Sequence, residues 1–206
     1  MVYLSYTAVF LIGYLLGCPN MALILAKLRG VDMRSNGSGN PGASNAMILM
    51  GWRAGILVGL FDIGKGLAAV LLARWIFPWL ELAGAVAGVG SVLGHMFPFY
   101  LRFKGGKGFA SYLGMALAMN WKFALILFVA VAVITLVTDY IVVGTMTTIV
   151  SLPIFYALSS SLVIALILCI ASVAITVKHR ENLARICKGT EIGFRSANRG
   201  ERRVGR

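Results

Sequence analysis

Apolar residues in this chain come in long runs, not at the spacing of a half-buried helix or strand. The first run covers residues 3–28, near the ~20 residues that a bilayer core requires, and Pro19 predicts a kink inside it. Runs over 54–77 and 80–101 follow, parted by Pro78. A shorter run over 109–119 predicts a short or half-buried helix, and a further run covers 123–137. The stretch 141–177 is too long for one ordinary span, and Ser159-Ser160-Ser161 is the best place for it to turn. Polar breaks at Asn120-Trp121-Lys122 and Thr138-Asp139-Tyr140 set off the later runs. The pattern predicts an all-α, polytopic integral membrane protein with about seven transmembrane helices.

Composition agrees and narrows the class. The chain has 206 residues, 59% hydrophobic and 13% charged, with a mean hydropathy of +0.87, which excludes an ordinary water-soluble domain. No linker divides it, so one membrane domain is expected over residues 1–192, followed by a basic, disordered cytoplasmic tail over 193–206. The first run lacks a basic start and reads as a retained helix, not a cleaved signal. Seven spans put 16 of the Lys and Arg residues on one side, against Arg74 and Lys122 on the other, with Lys65 inside the membrane. That asymmetry assigns the first side to the cytoplasm, the N-terminus to the outside and the C-terminus to the cytoplasm. The net charge of +12 is thereby explained without a nucleic-acid partner. Cys18, Cys169 and Cys187 have neither metal-ligand spacing nor a disulfide framework.

Three polar segments carry the candidate chemistry, all on the predicted cytoplasmic side. Ser38-Gly39-Asn40-Pro41-Gly42-Ala43-Ser44-Asn45 combines close-approach glycines with short hydrogen-bonding side chains. The plainer reading is a tight turn with Ser44 or Asn45 as the N-cap of the next helix. Phe103-Lys104-Gly105-Gly106-Lys107-Gly108 can bend sharply and turn its backbone N–H groups toward an anion, with two lysines beside them. It differs from the nucleotide-binding loop, because Gly108 and not Ser or Thr follows Lys107 and no strand precedes it. Lys178-His179-Arg180-Glu181-Asn182 closes the last span, and His179 and Asn182 share a helical face, with Arg185, Lys188 and Glu191 continuing a polar ladder. His95, before Pro98, reads as a hydrogen-bonded structural residue. Asp62 and Lys65 stand one turn apart inside a span and can neutralise each other. Gly84 and Gly88 form a small-residue packing face.

Together these motifs resemble the bacterial acyl-phosphate-dependent glycerol-3-phosphate acyltransferases, the PlsY family. The residues that carry the likeness are Gly37-Ser38-Gly39-Asn40-x-Gly42-Ala43-Ser44-Asn45, then Gly94-His95-x-Phe97-Pro98 through Gly108, then His179-Arg180-Glu181-Asn182 with Arg185, Gly189 and Glu191. Their order and spacing match over nearly the whole chain to about Glu191. The resemblance implies a seven-helix enzyme of the bacterial inner membrane with a cytoplasmic active site. It would move a fatty acyl group from acyl phosphate to the 1-hydroxyl of glycerol 3-phosphate, giving lysophosphatidic acid and phosphate. No metal, cofactor, acyl carrier protein or other obligatory protein partner is implied.

On that likeness, Lys107 and Lys104 would meet phosphate and developing oxyanion charge, backed by Gly105, Gly106 and Gly108. Ser38, Gly39, Asn40, Gly42, Ser44 and Asn45 would shape a first phosphate site, with Ser38 counted among the catalytic residues beside Lys107 and His179. His179 and Asn182 would orient glycerol 3-phosphate, and the acyl tail would lie between helices, open to lipid. The hydroxyl proton would pass to His179 or to a phosphate oxygen of the donor. No His-x-x-x-x-Asp motif follows either histidine.

Two positions depart from the family pattern. Ile48 stands where an Arg is common, with Arg53 out of register, and Val142 and Thr145 replace two serines after Tyr140. They leave room for weaker binding, an altered acceptor or an inactive relative. An organic-phosphate transporter is the alternative from another class, with Asp62 and Lys65 on its path. The later spans carry few polar residues for such a path, and no inverted repeat is visible.

Overall fold

In the computed structural model, which describes residues 2–195, every regular element is helical. In chain order these are α1 (Val2–Gly17), α2 (Met21–Leu28), α3 (Ala43–Met50), α4 (Trp52–Ile76), α5 (Ala83–Met96), α6 (Phe109–Met119), α7 (Trp121–Thr138), α8 (Ile141–Ser159) and α9 (Leu162–Cys187), with a 3-10 turn at Phe99–Leu101 after α5. Among the described residues, six segments are long and apolar enough to cross a membrane: Val2–Leu28, Trp52–Ile76, Ala83–Leu101, Trp121–Thr138, Ile141–Ser159 and Leu162–Cys187. The remaining apolar helix, α6, has 11 residues and is the short helix expected over 109–119.

The first span is broken where a kink is expected. Pro19 has no N–H to continue α1, and Asn20 takes an extended backbone with φ −118°. Its Oδ1 accepts from the Leu23 amide at 2.9 Å and so starts a new helix, α2. The turn expected at Ser159-Ser160-Ser161 separates α8 from α9, and the Ser161 hydroxyl caps α9 by accepting from the Ile164 amide at 3.4 Å.

The described residues fall into two compact units that divide after Trp121. In the first, α4 and α5 are the central packing partners of α1 and α6. Small residues let these helices meet backbone to backbone. A Cβ at Gly13 or Gly17 would strike the backbone of Ala87 or Ser91 on α5, and one at Gly90 or Gly94 would strike Phe10 or Tyr14 on α1. Gly84 and Gly88 pack as well, but on side chains: Arg74 and Val70 for the first, Met115 and Val70 for the second. The tighter α1–α5 seam escapes the sequence reading because its two glycine pairs lie in different spans. Gly17→Ala is expected to lower the thermal midpoint in detergent, with an overpacking cost of about 1–3 kcal/mol. Scanning fluorimetry against wild type measures it.

The second unit holds α7, α8 and α9. Phe123 of α7 stacks on Phe155 of α8 with ring centroids 4.1 Å apart, and the Ser172 hydroxyl of α9 donates to the Ile149 carbonyl of α8 at 2.8 Å. α9 continues past residue 177 to Cys187, so the expected basic motif is helical. Beyond it the chain returns to the α7–α8 corner. The Phe194 amide donates to the Asp139 carbonyl at 2.7 Å, and the Arg195 amide donates to Asp139 Oδ1 at 2.9 Å. The Arg195 guanidinium reaches the Leu136 carbonyl at 2.5 Å. Residues 193–195 of the expected disordered tail are thus pinned, and 196–206 lie outside the described residues.

Candidate active site

Between α2 and α3 the chain folds on its own polar side chains. Asp32 Oδ1 accepts from the Arg34 amide at 2.9 Å and the Ser35 amide at 3.3 Å, while Oδ2 accepts from the Ser35 hydroxyl at 2.6 Å. Gly37 and Gly39 take φ of +63° and +68°, a backbone region that L side chains rarely enter. Asn45 then closes the loop. Its Oδ1 accepts from the Ser38 amide at 2.8 Å, and its Nδ2 donates to the carbonyls of Met33 at 3.0 Å and Asn36 at 3.2 Å.

The expected N-cap is therefore a correction. Gly42 occupies the cap position of α3 without a side-chain bond, and Asn45 lies inside the helix. Its polar atoms are committed to loop backbone several residues earlier, so it holds the loop's shape. Ser38, Gly39 and Ser44 are exposed, Asn40 is half-buried, and Gly42 and Asn45 are buried. A Cβ at Gly42 would meet Asn40 Nδ2 at 2.8 Å.

The Asp32 turn titrates. The Ser35 hydroxyl, followed by the Arg34 and Ser35 amides, holds its carboxyl below the usual carboxylate range. A lowered folded value means that the turn is supported at pH above the ordinary value of about 3.9 and loses that support as pH falls through the lower folded value. Amide exchange at Arg34 and Ser35 is expected to quicken across that acidic window. In Asp32→Asn the pH step should vanish.

The second loop folds back on the end of α5. The amides of Gly105 and Gly106 donate to the carbonyls of Met96 at 3.0 Å and His95 at 3.1 Å. The Phe103 amide donates to the Pro98 carbonyl at 3.1 Å and the Lys104 amide to the Leu101 carbonyl at 3.1 Å. These four amides satisfy the carbonyls around the α5 terminus and so are not turned toward an anion as expected. The glycines serve close packing instead. A Cβ at Gly105 would strike the His95 carbonyl, and one at Gly106 would strike the His95 imidazole. Gly108, at φ +87°, turns the chain into α6. What the loop offers an anion is its lysines: Lys104 is exposed and Lys107 half-buried.

The two loops are joined. The Arg34 guanidinium donates to the Lys104 carbonyl at 3.0 Å, linking the first loop to the second across 70 residues of sequence. Ser38, Asn40 and Asn45 thus belong to one assembly with the 104–108 loop.

In the second unit, His179 and Asn182 are buried one turn apart on α9. His179 Nδ1 lies 2.9 Å from the Ile175 carbonyl, which can only accept, so Nδ1 carries a proton. The neutral ring then has its lone pair on Nε2. Asn182 Nδ2 donates to Glu191 Oε1 at 2.5 Å, and Arg185 Nε donates to Glu191 Oε2 at 2.6 Å. Glu191 therefore orients the asparagine. Sequence places it on a polar ladder, but α9 ends at Cys187 and Gly189 turns the chain at φ +66°, so the Glu191 side chain reaches back to α9 from beyond the turn.

The family's departures are also placed. Ile48 is exposed on α3, and Arg53 lies over the Trp52 ring at 5.6 Å. Val142 is buried, and the Thr145 hydroxyl donates to the Ile141 carbonyl one turn back at 3.1 Å.

A family model described as Glycerol-3-phosphate acyltransferase matches residues 7–189. This chain belongs to that family. Glycerol-3-phosphate acyltransferases of Geotalea daltonii and Bartonella henselae are similar to it. The first is 39% identical over 192 residues, covering 91% of this chain and 97% of the relative. The second is 36% identical over 197 residues, covering 94% and 93%. Among solved structures, a crystal structure of PlsY (YgiH), an integral membrane glycerol 3-phosphate acyltransferase in its glycerol 3-phosphate form, aligns with a TM-score of 0.87. It is 34% identical, with 93% of this chain and 96% of that one covered. The lysophosphatidic acid form aligns at 0.83 with 33% identity, covering 94% and 98%. This acyltransferase thus shares its helical membrane fold with PlsY.

Proposed function

We propose that this membrane glycerol-3-phosphate acyltransferase uses acyl phosphate as its donor. The glycerol 3-phosphate 1-hydroxyl attacks the acyl carbonyl carbon. A C–O ester bond forms, the bond from that carbon to the phosphate oxygen breaks, and inorganic phosphate leaves with the bonding electrons. The products are lysophosphatidic acid and phosphate. The observation that carries this reading is the pair of loops, locked together by Arg34, that present Ser38, Lys104 and the half-buried Lys107.

An acyl phosphate is already activated, so the protein mainly orients the substrates and steadies negative charge. Lys107 and Lys104 meet the donor phosphate and the developing oxyanion. Ser38, Gly39, Asn40, Gly42 and Ser44 form the wall of a phosphate site whose shape Asn45 fixes. His179 and Asn182 bind glycerol 3-phosphate. Membrane lipid receives the acyl chain, and the Lys and Arg asymmetry supports a cytoplasmic position for the loops in a bacterial inner membrane. Neither metal nor protein carrier is required in this scheme.

Purified protein in detergent or lipid, given both substrates, is expected to release phosphate only when both are present. Release without glycerol 3-phosphate, or none from folded protein, would overturn the reading. The proton has two chemically sufficient destinations, Nε2 of His179 and a phosphate oxygen of the donor. His179→Ala separates them. A fall in kcat of about 10²-fold or more assigns the histidine, the usual scale for a lost general base. A rise confined to KM assigns the phosphate.

A further inference from the structure

Buried between α1, α4 and α5 is an ionic cluster that the proposed reaction does not use. Lys65 Nζ lies 2.9 Å from Asp62 Oδ1, 2.9 Å from the Pro19 carbonyl and 2.7 Å from His95 Nδ1. The side chains of Lys65 and Asp62 are 5% and 4% exposed. An ammonium has three protons, and three acceptors surround this one. One carboxylate balances one ammonium. His95 Nδ1 also lies 3.3 Å from Asp62 Oδ1, so ammonium, carboxylate and imidazole meet at one point.

Each of the other two acceptors leads to a loop. The His95 ring lies between the ammonium and Gly106, so close that a Cβ at Gly106 would strike Nε2. The His95 carbonyl takes the Gly106 amide at 3.1 Å. In the other direction, the Pro19 carbonyl is followed by Asn20, which caps α2 and donates from Nδ2 to the Pro41 carbonyl at 3.1 Å. Pro41 stands between Asn40 and Gly42 in the first loop. Stability alone is a poor account of the cluster, because a buried ion pair often contributes no more than well-packed apolar residues would.

We propose that Lys65 is a positioning residue for both anion-binding loops, setting the 104–108 loop through His95 and the 38–45 loop through Pro19 and Asn20. The kinetic arm of its test rests on the acyltransferase reading; the exchange arm does not.

Hydrogen exchange of the full chain in detergent micelles, read by mass spectrometry, tests it with three variants. Lys65→Met is expected to speed exchange about 10-fold or more in peptides covering 38–45 and 104–108, with α7, α8 and α9 peptides unchanged. Asn20→Ala should loosen the 38–45 loop alone, and His95→Leu the 104–108 loop alone. In turnover, Lys65→Met should raise KM for glycerol 3-phosphate more than it lowers kcat, a split that general destabilisation would not give. Wild-type exchange of both loops in Lys65→Met would overturn the proposal. So would single variants that loosen both loops alike, and these remain decisive where Lys65→Met fails to fold. A folded wild type that does not turn over refutes the acyltransferase reading instead, and the exchange pattern still decides this one.

Discussion

Lys107→Ala is expected to cut turnover of acyl phosphate with glycerol 3-phosphate by about 10²- to 10³-fold, the range seen when one preorganised stabiliser of a transition-state oxyanion is removed. Charge builds on the carbonyl oxygen and then on the departing phosphate, and a half-buried ammonium steadies it more than a fully hydrated one does. Lys104, which is exposed, should lose less in its own alanine variant. Steady-state phosphate release, with folding checked by thermal midpoint, measures both. Equal losses at the two positions would refute the distinction drawn from their burial.

Gly106→Ala is the second large effect. One methyl there meets the His95 ring, and that ring is held at Nδ1 by the Lys65 ammonium at 2.7 Å. The loop must move, and misplacement by about 1 Å can cost about 10²-fold in rate. Gly64→Ala on α4 is the control, because Gly64 is exposed and a Cβ there meets nothing within 4 Å. It should be neutral or gain up to about 1 kcal/mol of helix stability. Comparable losses in the two variants would mean that the His95 contact is not what makes Gly106 special.

Much of the helical frame is legible in the residue pattern because a bilayer leaves few choices for backbone polar groups. Runs of apolar residues and their polar breaks fall close to the observed helix ends. The Asp62–Lys65 pair is also legible, since opposite charges one turn apart meet on a helix, and they do so at 2.9 Å. His95, the third member, comes from 30 residues away and has no local signal. The same limit applies to Asn45. Its side chain caps nothing locally and instead reaches Met33, Asn36 and Ser38, which a helix-start rule does not foresee. The glycines of the 104–108 loop suggest open amides, whereas the N–H groups of Gly105 and Gly106 are taken by the carbonyls that end α5. A helix terminus needs partners for its carbonyls, and that need outcompeted the nest.

The interruption at Pro19 bears on how the protein is made. A break within an apolar span bares backbone carbonyls, each costing several kcal/mol in hydrocarbon without a donor. Here Cys18 and Pro19 are served by the Tyr100 hydroxyl at 3.0 Å and by Lys65 at 2.9 Å. Those donors are synthesised later than the segment that needs them. These two bonds at the break therefore form only once α4 and the turn after α5 are in place.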